Sequence, residues 1–121
     1  MRGSREDRGQ ATVEFALILP LLVICIAGIV WVGQVVTVQI RLEHAAREGA
    51  RAAAVSPDSA SSVAQEAVTR SFPAADGVAA SVGAEFVAVR VWRRVAAVPF
   101  IGVGSRELAA EAHMRREDLI D

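Results

Sequence analysis

FALILPLLVICIAGIVWVG, from Phe15 to Gly33, runs nineteen residues without a charged or amide side chain. As a helix it covers about 28 Å, against a hydrocarbon thickness of about 30 Å in a bilayer, so it reads as a transmembrane helix. The uncharged region is wider than the span itself, because none of the 26 positions from Phe15 to Ile40 is Asp, Glu, Lys or Arg. Trp31 lies near the far end, where aromatic rings favour the water interface. Pro20, Gly28 and Gly33 would weaken a soluble helix. In lipid the backbone has no water to bond to and stays helical, so a helix kink at Pro20 is expected rather than a break.

On the N-terminal side, MRGSREDRG from Met1 to Gly9 is polar after its first residue and carries Arg2, Arg5 and Arg8. Residues 1–9 therefore read as a leader that adds nothing to a core. On the other side, GQVVTVQIRLEHAAREGARAAAV keeps a helical pattern, with Val35, Val38, Leu42, Ala45, Gly49 and Ala52 recurring every three or four positions. Residues 10–55 are thus expected to form one transmembrane and extended helix. The outer stripe is mostly Ala and Gly, small enough to let a sheet or a second helix pack close to the backbone.

Residues 56–121 read as a small head. Ser56-Pro57-Asp58 stops the long helix and starts a second, with Ser56 as N-cap and Pro57 in the first turn. Ala60, Val63, Ala64, Ala67 and Val68 share one face of that helix, and Phe72-Pro73 with Asp76-Gly77 closes it in a turn. From Val78 the period becomes two. Val87, Val89 and Val91 alternate with Ala88, Arg90 and Trp92 as in a half-buried strand, and Val78 to Val82 can pair with it as a hairpin. Val98 to Gly104 is apolar but holds Pro99, Gly102 and Gly104, so it reads as a loop or sheet edge. Leu108, Ala110, Ala112 and Met114 alternate as a third strand, although the propensity of Leu108 to Arg116 also permits a helix. The expected class is α+β: a long N-terminal transmembrane helix continuing into a head with a second helix and a short antiparallel sheet of about three strands.

Composition narrows the function. A chain of 121 residues has room for one small domain beside a membrane segment. A net charge of −1 argues against nucleic acid as a direct partner, and Arg93-Arg94 and Arg115-Arg116 read as solvated strand ends. All thirteen basic residues are Arg, a hint of a GC-rich bacterial genome. Cys25 is the one cysteine and sits in the apolar run, so thiols provide neither an intrachain disulfide nor a metal site. His44 and His113 have no HExxH context and read as surface and strand-face residues. Gly102-Val103-Gly104 lacks the third glycine of a dinucleotide loop, and neither a Walker A motif nor G-x-S-x-G occurs. Glu107, Glu111, Glu117 and Asp118 read as a solvated edge rather than paired catalytic acids. No catalytic residue, cofactor or metal is expected.

The informative junction is GQATVEF, Gly9 to Phe15, where the polar leader meets the apolar run and Glu14 stands five residues after a glycine. Here the sequence resembles the type IV pilin class III signal, specifically the TadE-like family of the Tad pilus system. ALILPLLVICIAGIVWVGQ, Arg47 to Ala53, and Pro99-Phe100-Ile101-Gly102 followed by Leu108 to Glu117 carry the resemblance further, whereas Pro57 to Gly83 does not. The resemblance implies a non-enzymatic minor pseudopilin with a pilin-like head. It implies cleavage by a prepilin peptidase between Gly9 and Gln10, with Glu14 and Phe15 as the recognition pair. Its implied partners are the lipid bilayer, the peptidase, other pilin-like subunits and the pilus assembly machinery. The chain would sit in the bacterial cytoplasmic membrane as a single span, N-terminus inside and head outside.

Physical chemistry supplies a reason for that spacing. An ionised Glu within a membrane helix costs roughly 2.5–3.5 kcal/mol unless paired, and cleavage creates a cation, the α-amine of Gln10. Alone, Glu14 could equally snorkel to the cytoplasmic interface. Arg2, Arg5 and Arg8 agree with the positive-inside rule, while Arg41, Arg47 and Arg51 flank the other side. A secretory signal peptide is a poor match, since Cys25-Ile26-Ala27 is no A-x-A site, and Ile24 before Cys25 argues against a lipoprotein. The competing function is a signal-anchored adaptor or binding module whose leader stays attached.

Overall fold

The computed structural model describes residues 3–98 and 101–119. Its elements, in order, are helix α1 (Gly3–Val55), a 3-10 turn (Pro57–Ser59), helix α2 (Ala60–Ser71), strands β1 (Gly77–Val82), β2 (Phe86–Ala96) and β3 (Ser105–Arg115), and a second 3-10 turn (Glu117–Leu119). The class is α+β, with a three-stranded antiparallel sheet ordered β1-β2-β3. The chain forms two compact units, one up to Gln34 and one from Val35 onward, so the second half of α1 belongs to the unit that contains the sheet.

In the first unit α1 continues through Pro20 as helix and runs back to Gly3, into the polar leader. Its most apolar 18-residue window has no buried share. Leu17, Ile24 and Ile29 are among the side chains left open. A continuous apolar band of this length has no stable place in water.

The second unit packs helices on one face of the sheet. Leu42, Ala45, Ala46, Ala50 and Ala53 of α1 join Ala60, Ala64, Val68 and Phe72 around Val87, Val89 and Val91 of β2 and Leu108 and Ala110 of β3. Val35 and Val38 pack at its margin. This core contains little bulk. Its largest fully buried side chains are one Leu and four Val, so stability depends on close approach of backbones rather than on large apolar volumes. Gly49 makes that approach possible: a Cβ there would lie 3.0 Å from Val89 Cγ1 and 3.1 Å from Val68 Cγ2. The Ala and Gly stripe of α1 therefore meets both a helix and the sheet.

Several expectations are refined. Residues 57–59 form a 3-10 turn rather than the first α-turn, and α2 begins at Ala60; neither Ser56 nor Ser59 makes a side-chain cap bond. Leu108 to Arg115 is strand, because pairing with β2 and burial of Leu108 and Ala110 outweigh helix propensity. The strands are also longer than the valine run implies, with β2 paired to β3 from Phe86↔Arg115 to Ala96↔Ser105. Of the apolar segment between them, Val98 and Ile101 to Gly104 lie outside the strands, and Pro99 and Phe100 lie outside the described residues.

The arginine pairs are not merely solvated. Arg93 is half-buried with its guanidinium 5.7 Å from the Phe72 ring centroid. Arg116 donates to the Gly83 carbonyl at 3.1 Å and to both carboxylate oxygens of Asp118, at 3.0 and 2.6 Å, while its backbone N–H donates to the Glu85 carbonyl at 2.9 Å. The end of β3 is thereby clipped to the β1–β2 turn. The hydrogen bond from Arg116 holds the Asp118 carboxyl below the usual aspartate range, and the same bond raises Arg116. Asp118 is the lowered carboxylate, so the contribution of the clip is complete above the unfolded aspartate pKa and is lost as pH falls through the lowered folded value. Arg116→Ala is expected to speed hydrogen exchange at the Gly83 amide while leaving the Val89 amide protected. Equal exchange at Gly83 in variant and native protein would remove the clip from this account.

Candidate functional site

Gly9, Gln10, Glu14 and Phe15 all lie on α1, in the first unit. Gln10 and Glu14 stand one helical turn apart on the same face, both exposed, and Phe15 is 64% exposed. Apart from its own helix backbone, nothing lies within 4 Å of where a Cβ on Gly9 would be, and both Gly9 and Gln10 are exposed. The Thr12 hydroxyl donates to the Arg8 carbonyl at 2.8 Å, bracketing the Gly9–Gln10 peptide with a side-chain bond. Such back-bonding weakens a helix slightly, and glycine weakens it by roughly 1 kcal/mol relative to alanine. The helix is therefore locally poor at the point where the sequence resemblance implies cleavage.

Downstream, the same helix supplies a segment long and apolar enough to cross a membrane. Cys25 is exposed on it, and no Cβ on Gly28 or Gly33 would meet anything within 4 Å. The model of the family described as TadE-like protein matches residues 9–51. Over this third the chain is similar to the TadE-like family. The match begins at Gly9 and ends at Arg51, so the matched segment includes the Gly9–Phe15 stretch, the apolar span, and the stripe of α1 with Leu42 and Gly49 that packs in the head. No curated protein matches the chain, and no solved structure does.

Among the described residues beyond the matched segment, the acidic side chains that form ion pairs do so separately. Glu107 pairs with Arg90 at 3.0 Å, Glu111 with His113 at 3.0 Å and Asp118 with Arg116 at 2.6 Å, so the acids grouped in sequence are dispersed among separate partners. His44 borders a shallow, open groove with Glu48 and Arg70 between α1 and α2. Among the described residues, no group of three or more His, Cys, Asp or Glu side chains could hold a metal ion. Sequence reasoning missed the contact of Gln39, whose amide donates to the Ala109 carbonyl at 3.2 Å. That bond satisfies a carbonyl of the edge strand and ties α1 to β3; an amide among the valines of α1, as at Gln34 and Gln39, was the available signal. Gln39→Ala is expected to cost about 1 kcal/mol in chemical denaturation, the value of one such bond.

Proposed function

We propose that the chain is a minor pilin-like subunit of a Tad or related type IVb pilus or secretion assembly, processed by a prepilin peptidase after Gly9. The observation that carries this reading is the co-occurrence, on one exposed helix, of exposed Gly9 and Gln10 and an acid one turn beyond them, directly ahead of an unburied apolar span. The TadE-like match over residues 9–51 supports it. With the leader attached, Glu14 lies about three turns into α1. Removal of residues 1–9 leaves 112 residues and puts Glu14 in the second turn from a new N-terminus, where the helix dipole and the α-amine of Gln10 both favour a carboxylate. In an assembly that amine comes from a neighbouring subunit, so that both charges are paired within the membrane and the registers of adjacent helices are matched. Pro20 bends the span between this pair and the head. The leader with Arg2, Arg5 and Arg8 stays in the cytoplasm and the head lies outside.

Intact-mass analysis of the chain expressed with a prepilin peptidase tests this directly. A mature N-terminus at Gln10 is expected. A polypeptide that retains Met1 in such cells would instead identify a signal-anchored extracytoplasmic adaptor.

A further inference from the structure

The helices of the head cover one face of the sheet and leave the other bare. On the bare face β2 presents Arg90, Trp92 and Arg94 and β3 presents Glu107, Ala109 and Glu111, because the residues that alternate with them, such as Val89, Val91, Leu108 and Ala110, turn to the core. The four charged side chains are exposed. The Trp92 indole lies across Gly77, where a Cβ would overlap it, and keeps part of its surface open.

Charge and size are complementary across the two strands. Arg90 stands opposite Glu111, Trp92 opposite Ala109 and Arg94 opposite Glu107. Within one chain, however, the charges are incompletely matched. Arg90 reaches diagonally to Glu107 at 3.0 Å and Glu111 turns to His113 at 3.0 Å. The Arg94 guanidinium makes no ion pair among the described residues; only its backbone N–H meets a carboxylate, that of Asp76 at 2.6 Å.

A two-fold axis parallel to the strands, set in front of this face between β2 and β3, would lay β2 of one copy over β3 of another. Each β2 residue then meets the residue that stands opposite it in its own sheet. The cross-strand register thereby becomes a register between copies: Arg90 on the second copy's Glu111, Arg94 on its Glu107 and Trp92 on its Ala109, each contact made twice. Strands of both copies keep one direction, the aligned arrangement in which sheets pack face to face about 10 Å apart. Moving the axis onto β2 would instead set Arg90 against the second copy's Arg90, so the charges favour the first position.

We propose that the bare sheet face is a self-association surface whose occupant is a second copy of this chain, seated by that two-fold. Trp92 is the anchor, as aromatic side chains commonly are at the centre of such a patch, and the Arg–carboxylate contacts ring it. Giving up the Arg90–Glu107 and Glu111–His113 pairs costs little, because exposed ion pairs contribute little. Arg94 gains the carboxylate it lacks in the single chain.

The test uses the full chain with its leader attached, in detergent micelles, labelled at native Cys25 with donor or acceptor dye so that energy transfer reads association. Arg90→Glu and Glu111→Arg each oppose like charges in a homodimer, and each is expected to weaken association by about tenfold or more. An equimolar mixture of the two variants is expected to restore it, because in the mixed dimer every acid at these positions again faces an arginine. Repair of a damaged fold cannot mimic that result, since neither variant mends the other's own sheet. Trp92→Ala is expected to weaken association as well. Association unchanged by either reversal would assign it to the apolar helix and overturn the proposal. Variants that stay apart when mixed, or a native chain without concentration-dependent transfer, overturn it too. No readout involves cleavage or a peptidase, so the outcome is independent of the function proposed above.

Discussion

Gly9→Val is expected to leave the leader attached under conditions in which the native chain is fully processed, so that the intact mass retains residues 1–9. Gly9 is exposed on α1, and nothing outside its own helix backbone lies within 4 Å of an added Cβ. The substitution is therefore tolerated by this chain, and its effect is exerted on the peptidase, which must approach the backbone closely and open the local helix. Valine both crowds that approach and stiffens the chain at χ1. Complete processing of Gly9→Val would mean that Gly9 has no part in recognition. Glu14→Gln is to be read on chain whose mass shows the mature N-terminus at Gln10, so that a loss of assembly is not mistaken for a loss of peptidase recognition. Neutralising the acid leaves the amine of Gln10 without a partner in the membrane, at a cost of roughly 2.5–3.5 kcal/mol, so co-purification with neighbouring pilin-like subunits should fall by about a hundredfold. Unchanged co-purification would show that Glu14 only snorkels to the interface.

Gly49→Leu is expected to destabilise the head strongly. The position is closed by Val89, Val68 and the Ala64 carbonyl, at 3.0, 3.1 and 3.6 Å from an added Cβ, so α1, α2 and β2 would all have to move. Overpacking typically costs about 1–3 kcal/mol, and the upper end applies where three elements converge. For a unit of this size the melting temperature, followed by circular dichroism in detergent, should drop by about 10–20 °C. Gly49→Ala should be near neutral, because a gain of about 1 kcal/mol in helix propensity is set against two tight methyl contacts. A melting temperature unchanged by Gly49→Leu would mean that α1 does not pack where the structure has it.

The readable parts of this sequence are those governed by local or one-dimensional rules. Phe15 to Gly33 is identifiable because a bilayer excludes charge over a fixed length. Val87, Val89 and Val91 are identifiable because a strand with one buried face must alternate, and all three are fully buried. The small-residue stripe of α1 was legible as a packing face, but whether a helix or a sheet would cover it was not, since Ala and Gly accept either. The second helix was placed by Ser56-Pro57, yet residues 57–59 form a 3-10 turn and neither serine makes a side-chain cap bond. The clip of Arg116 was illegible: its partners Gly83 and Glu85 are more than thirty residues away and are brought close only by strand pairing.

Periodicity and the absence of charge, both encoded residue by residue, were thus enough to determine the apolar helix, the α+β class and the acid five positions after Gly9. Only the tertiary structure decided that α1 meets both α2 and the sheet at Gly49 and that Leu108 to Arg115 is strand rather than helix. Each of those depends on which segments distant in sequence bury one another, and with a core of small side chains that choice rests on backbone proximity, which no local pattern encodes.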